Sequence, residues 1–387
     1  MKQLHGSSRA MRNRGMSLIE TLVGLAIALI AMLIVFQVFS ASGERTRTTT
    51  SGSDAQMAGS LALYQLDRDI KMAGMGFGLT PAAGCTVQAY NSALATPNFS
   101  FPLMPVQIIP DATTPGAPVK IAVTYGDSAL FALGRKFSNP TTTTKMLLSR
   151  SAFQRGDIML VAGQNPPATT YQCALVEITD YPPASSGDLN TVIHAQGSYT
   201  SDYAGATTAT MNAVPGVNTF VGSSGFVYNL GPRPQRNQWQ VTSAGAAGAN
   251  LLVWSDTLHS DAQSQVTEGV VNLQAEYGVD DGASGAGGAV GGDGIISPAE
   301  WTSTAPTNGT LLLAVRFAVL ARSQQYEKAA VTTVAPFWAN DPAGHSFTMF
   351  NVDGTPDSTP GNANDWRHYR YRVYESAVPL RNMIWGK

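Results

Sequence analysis

"RNRGMSLIETLVGLAIALIAMLIVFQVF", residues 12–39, decides how the chain is read. Arg12, Arg14 and Gly15 lead into Met16, and the segment then stays apolar as far as Phe39. As one helix, residues 16–39 are long enough to cross about 30 Å of hydrocarbon. One charge interrupts the run. Glu20 sits near its start, although a carboxylate at the centre of a membrane helix costs roughly 2.5–3.5 kcal/mol. Lys2, Arg9, Arg12 and Arg14 precede Met16 and no acidic residue does. That positive flank stays cytoplasmic, so everything beyond about Ser40 is expected outside the inner membrane. A secretory signal peptide has a shorter apolar region closed by small residues, whereas Gly15 stands before the run. A plain signal anchor explains neither Gly15 nor Glu20.

Composition bounds the remainder. Of the 387 residues, 44% are hydrophobic and 13% charged, against about 25% charged in an ordinary domain. The 38 glycines and 22 prolines suit turn-rich β structure better than a helix bundle. With the membrane helix set aside, more than 300 residues remain, ample for a core in one large domain or two lobes. Net charge is −2, from 24 basic and 26 acidic residues; without the segment before Met16 it becomes 20 against 26, or −6. A mildly acidic chain without an RNA- or DNA-reading motif points away from direct nucleic-acid binding. Cys85 and Cys173 can pair if exported, since an oxidising compartment favours disulfides; the other reading is two buried thiols.

The run Gly15-Met16-Ser17-Leu18-Ile19-Glu20 resembles the processing site of type IV prepilins. In that family a basic leader is cut after glycine on the cytoplasmic face, the new N-terminus is methylated, and the fifth mature residue is glutamate. The resemblance implies cleavage between Gly15 and Met16, N-methylation of Met16, and Glu20 as the assembly residue. Met16 departs from the family's usual phenylalanine. In a filament the helices bundle, and a neighbour's carboxylate can compensate the N-terminal amine, whereas either charge buried alone is strongly penalised. Translation starting at Met11 would give the short leader MRNRG, a hypothesis that the mass of the precursor tests.

Beyond Phe39, "SASGERTRTTTSGSDAQ" (40–56) is poor in helix formers and reads as a frayed or extended section between two helical halves. Helix returns in "DAQMAGSLALYQLDRDIKMAG" (54–74), where Met57, Leu61, Tyr64, Leu66 and Ile70 form an apolar stripe expected to face a core, with Gly74 as the stop. "LDRDIKMAG" (66–74) resembles the PilW group of minor type IV pilins, and "MGFGLTPAAGC" ends on Cys85, a cysteine later than that group usually shows. The glycines at 74, 76 and 78 follow a helix rather than a strand, so a dinucleotide loop fails its context.

From about 79 onward the pattern is short strands between turns. The clearest are "VKIAVTY" (119–125), "DIMLVAG" (157–163), "CALVEIT" (173–179), "NLLVWS" (250–255), "VVNLQAEYGV" (270–279), "LLLAVRFAVLARS" (311–323) and "HYRYRVYESAVPL" (368–380). "SYTSDYAGATTATMNAVPGVN" reads as surface loop and 282–294 as a flexible insertion. Arginines alternate with tyrosines at 369–374, the pattern of a half-buried strand with one solvated face. The closing strands resemble the PilW group in order. The resemblance covers roughly 12–85, 270–323 and 365–387, leaving about 90–250 unassigned. The expected fold is α+β: a leader (1–15), a transmembrane half-helix (16–39), a periplasmic half-helix (40–75), and a large antiparallel β-rich head (76–387) with a lobe boundary near 180–230 if it divides.

"DGIISPAEW" (293–301) raises a metal reading. Asp293, Gly294, Ile296, Ser297 and Glu300 fall on positions 5, 6, 8, 9 and 12 of a calcium loop, with Asp280 and Asp281 folding back to replace Ala289 and Gly291. The plainer reading is an acidic turn in which Ser297–Glu300 starts a short helix, leaving no cofactor. The five histidines stand at no metal-ligand spacing, and no nucleophile elbow or carboxylate pair is present. The expected role is therefore structural, not enzymatic. The resemblance implies a minor pilin of the initiating or tip complex. Its partners would be other minor pilins, the major pilin, the tip adhesin, the assembly platform and the prepilin peptidase. It would be anchored in the inner membrane first and carried in the extracellular pilus afterwards. Other readings are a minor pseudopilin of a type II secretion system and a pilus-borne adhesin.

Overall fold

A single α-helix, Leu18–Met72, opens the structure, a computed structural model. The structure describes residues 17–78, 80–128, 133–138, 140–164, 171–212, 224–244, 249–281, 292–307, 309–339, 344–352 and 365–384. The chain divides into two compact units, Met1–Ser53 and Asp54–Lys387. In the first, Ser17 starts the helix by accepting the Glu20 and Thr21 amides at its carbonyl, and Glu20 lies in the first turn. Residues 40–53 are helical, correcting the expected frayed section. Their weak propensity is overridden because a helix already formed on both sides propagates without a new nucleus.

In the second unit, residues 54–72 of the helix lie on a β-rich head. The buried face is Ala55, Ala58, Ala62, Leu66, Ile70 and Ala73, while Met57 and Tyr64 are 67% and 61% exposed and Leu61 is also exposed. The stripe expected at Met57, Leu61 and Tyr64 is thus corrected: only its Leu66 and Ile70 enter the core. Small residues won the inward face because they let the helix approach its sheets closely. At Gly59 an added Cβ would overlap the ring of Tyr374. The helix ends at Met72, with Gly74 in the left-handed region (φ 78°), as its glycine C-cap requires. The last carbonyls find a donor in the short helix Arg381–Ile384, whose Asn382 amide reaches Met72 O (3.2 Å) and Ala73 O (3.0 Å).

Among the described residues, three sheets and a hairpin make up the β structure. A four-stranded sheet runs Trp301–Thr302, Val270–Val279, Leu312–Arg322, Tyr371–Pro379, and a five-stranded sheet runs Ser264–Glu268, Ala249–Asp256, Gln235–Ala244, Lys120–Tyr125, Val106–Ile109. Both are antiparallel throughout. Together with the helix face they enclose one core, including Leu66, Ile70, Ile121, Trp239, Leu273, Val315 and Phe317. Tyr277 ties the sheets together, its hydroxyl accepting the Ile108 amide at 2.5 Å.

The eight-stranded sheet runs Asn98–Pro102, Thr86–Tyr90, Gln172–Glu177, Ile158–Gln164, Ser224–Asn229, Arg135–Ser138, Thr144–Leu147, Thr191–Ile193. Ile158, Leu160 and Ala162 point into one core and Met159 and Val161 into another. Burial on both faces explains why "DIMLVAG" reads as a continuous apolar run. Thr86–Tyr90 and Gln172–Glu177 pair in parallel, Val87 opposite Cys173, the one parallel step among the described strands. All seven strands expected from the sequence are present. The surface loop expected at 198–218 is corrected in part, since it contains the hairpin Ser198–Ser201/Gly205–Thr208. Tyr199 donates to Glu177 Oε1 (2.6 Å) and Tyr203 to Asp157 Oδ1 (2.7 Å), pinning the polar hairpin where hydrophobicity gives no signal.

Candidate assembly site

Every described side chain from Leu18 to Ser40 is exposed, and Leu18–Ser40 is a helix long and apolar enough to cross a membrane. Within it Glu20 is an exposed carboxylate among exposed Leu18, Ile19, Leu22 and Val23. In an apolar surrounding such a group needs a cation or donors brought from elsewhere. Gly15 and Met16, the expected cleavage and methylation positions, lie outside the described residues, as do the leader (1–15) and 282–291.

Asp69 seats the helix on the head. Its position among Leu66 and Ile70 makes it a buried carboxylate on an apolar face. Three donors converge on it: Trp239 Nε1 (2.6 Å), Asn237 Nδ2 (2.9 Å) and the Tyr125 hydroxyl (2.9 Å). Burial raises its pKa, and these hydrogen bonds oppose the shift. The donors come from adjacent strands of the five-stranded sheet, so the helix can dock in only one register. Asp69 belongs to no catalytic or ligand motif in the sequence. The signal was there, as an Asp at helical spacing between Leu66 and Ile70.

Cys85 and Cys173 form a disulfide, with Cα atoms 6.1 Å apart. It locks the segment that leaves the helix to the parallel strand pair, closing 88 residues. A loop of that size contributes on the order of 4–5 kcal/mol in the chain-entropy account.

The acidic residues of the proposed calcium loop are deployed differently. Asp280 does fold back, but its carboxylate accepts backbone N–H groups, from Gly292 (2.9 Å), Asp293 (3.1 Å) and Gly294 (3.0 Å). Asp293 accepts the Ile295 amide (2.8 Å) and Glu300 the Ser297 amide (2.6 Å), with Pro298–Glu300 forming a short 3-10 helix. Asp281 lies beside Asp280 with its amide on Val279 O. Among the described residues no group of three or more His, Cys, Asp or Glu gathers as a metal site; Ala289 and Gly291 lie outside them.

Comparison with known families adds two matches. Residues 242–382 match the family described as Type IV Pilus-assembly protein W, and residues 10–36 match the Prokaryotic N-terminal methylation motif. No match to the chain is found among curated proteins or solved structures. The resemblance read from the residues is therefore supported at both ends of the chain, and with it a pilin-like role in pilus assembly.

Proposed function

We propose that this chain is a minor type IV pilin of the PilW type. It is cut between Gly15 and Met16, methylated at Met16, and held in the inner membrane by its apolar helix with the head in the periplasm. It is then built into the pilus, in the initiating or tip complex. The carrying observation is Glu20: an exposed carboxylate in the first turn of a membrane-length helix, five residues beyond Gly15. Alone in hydrocarbon it is costly; against the methylated amine of a neighbouring subunit both charges are compensated. Exposed Met57, Leu61 and Tyr64 then have a use as apolar surface for a neighbour's helix, which the head leaves uncovered. The partners are other minor pilins, the major pilin, the tip adhesin, the assembly platform and the prepilin peptidase. The role is structural rather than enzymatic.

The test is Glu20→Ala with the sheared pilus fraction quantified. The variant should be processed and inserted like wild type, yet its recovery in filaments should fall by about tenfold or more, as expected when one charge of a buried pair is left uncompensated. Normal incorporation would overturn the role given to Glu20.

A further inference from the structure

The outer face of the four-stranded sheet, away from the helix core, carries a cavity of about 360 Å³ whose walls include Trp301, Arg316, Trp338 and Glu375. Its construction starts in the strand register, which places Glu276 beside Arg316 and Ala377 on the other side. Glu276 Oε2 accepts from Arg316 Nε (2.6 Å) and lies 2.5 Å from its Nη2, and His345 Nε2 lies 3.1 Å from the same Nη2 and 3.3 Å from Glu276 Oε1. The guanidinium is held in one place, 4.8 Å from the Trp301 ring centroid and 5.5 Å from that of Trp338. Trp301 lies close over the sheet because its neighbour is glycine: a Cβ at Gly278 would approach its ring to 3.1 Å. Glu375 is exposed and uses Oε2 to accept the Ala339 amide (2.6 Å). That bond accompanies a left-handed backbone at Ala339 (φ 57°), a conformation an alanine adopts only when its surroundings hold it there.

We propose that this cavity binds a single neutral sugar residue, presented by a glycan. The partly exposed Trp301 indole, backed by the buried Trp338, offers apolar ring surface, which suits the C–H face of a pyranose. The polar edge supplies opposite functions: a carboxylate that only accepts and a guanidinium that only donates, the two roles needed by hydroxyl groups. A wholly apolar ligand would desolvate Glu375 and Arg316 without replacing their hydrogen bonds, which is unfavourable. An anionic ligand meets the Glu375 carboxylate and a guanidinium whose charge Glu276 already compensates, and a cationic ligand meets Arg316 itself. The volume lies at the low end for small-molecule sites, about 300–1,000 Å³, and so accommodates one ring rather than a chain. This site is independent of filament assembly and would add recognition to a structural subunit.

The experiment uses the full chain in a detergent without a sugar headgroup. Methyl glucoside, methyl galactoside and N-acetylglucosamine are titrated by calorimetry and ligand-observed NMR, with glycerol and N-acetylneuraminic acid as controls. At least one neutral sugar should bind saturably. Glu375→Gln and Trp301→Ala should each weaken that binding by about tenfold or more. Glu375→Gln preserves shape, so it tests the site even where Trp301→Ala unfolds. The proposal fails if no neutral sugar saturates, if glycerol or the anionic sugar binds equally well, or if Glu375→Gln, with wild-type melting, binds normally.

Discussion

Lys145 shows how far one side chain can sit from its ordinary chemistry. It is 1% exposed, with Nζ donating to Thr141 O (2.9 Å) and Thr144 O (3.2 Å) and lying 3.1 Å from His194 Nε2. Burial lowers its pKa to about 8, and burial together with the lysine charge lowers that of His194 to about 3. The unfolded lysine titrates near 10.5, so between about pH 8 and 10.5 the unfolded chain binds more protons than the folded one. Stability therefore rises with pH across that window, and below it the folded state carries the full penalty. The stability of the wild type should therefore climb between about pH 8 and 10.5, and Lys145→Met, which has no amine to titrate, should lose that climb whatever its stability at pH 7. Urea denaturation of both proteins at pH 7, 9 and 10.5 checks it; the same pH dependence in the variant would contradict the assignment. At Asp280 the expectation is negative. Its carboxylate already accepts three backbone amides, so adding calcium should leave the melting temperature unchanged. A clear upward shift abolished by Asp280→Asn would restore the metal reading.

At the scale of the element, the helix segment 54–72 is governed by the size of its inward side chains. Gly→Ala inside a helix ordinarily stabilises by about 1 kcal/mol. Gly59→Ala should do the opposite, because its new methyl group overlaps Tyr374; a loss of about 1–3 kcal/mol is expected from overpacking. In a Tyr374→Ala background the same change should become neutral or stabilising, a sign reversal that chemical denaturation of the four variants resolves. Existence and type of this helix were legible from its 3.6-residue periodicity, as were the seven strongest strands from their β-branched runs. Which face points inward was not. Hydrophobicity favours Met57 and Tyr64, whereas close approach favours Ala58, Gly59 and Ala62, and only the presence of Tyr374 decides between them. Chain chemistry likewise gave no sign of the hairpin at 198–208, because tyrosine–carboxylate pairs hold it from residues 177 and 157.

For the whole molecule, the division at Ser53 predicts that residues 54–387 fold without the apolar helix. A chain starting at Asp54 should be monomeric without detergent and melt at the temperature of the full-length head; aggregation or loss of cooperative melting would show that the first unit is needed. The segment matching the pilus-assembly family, 242–382, contains the whole four-stranded sheet and part of the five-stranded one, the side on which the helix core is built. The eight-stranded sheet lies in the stretch that carried no resemblance. What the sequence determined by itself was the membrane-length helix with its basic flank and Glu20, and the presence of a strand-rich head. These follow from local composition and spacing, which need no partner to be read. The tertiary structure alone decided the seat of Asp69 on Trp239, Asn237 and Tyr125, the partners of the Asp280 carboxylate, the parallel step beside the disulfide, and the tryptophan-walled cavity. Each depends on groups separated in the chain, from 12 residues at Asp280 to 170 at Asp69 and Trp239, and no local pattern encodes the register that brings them together.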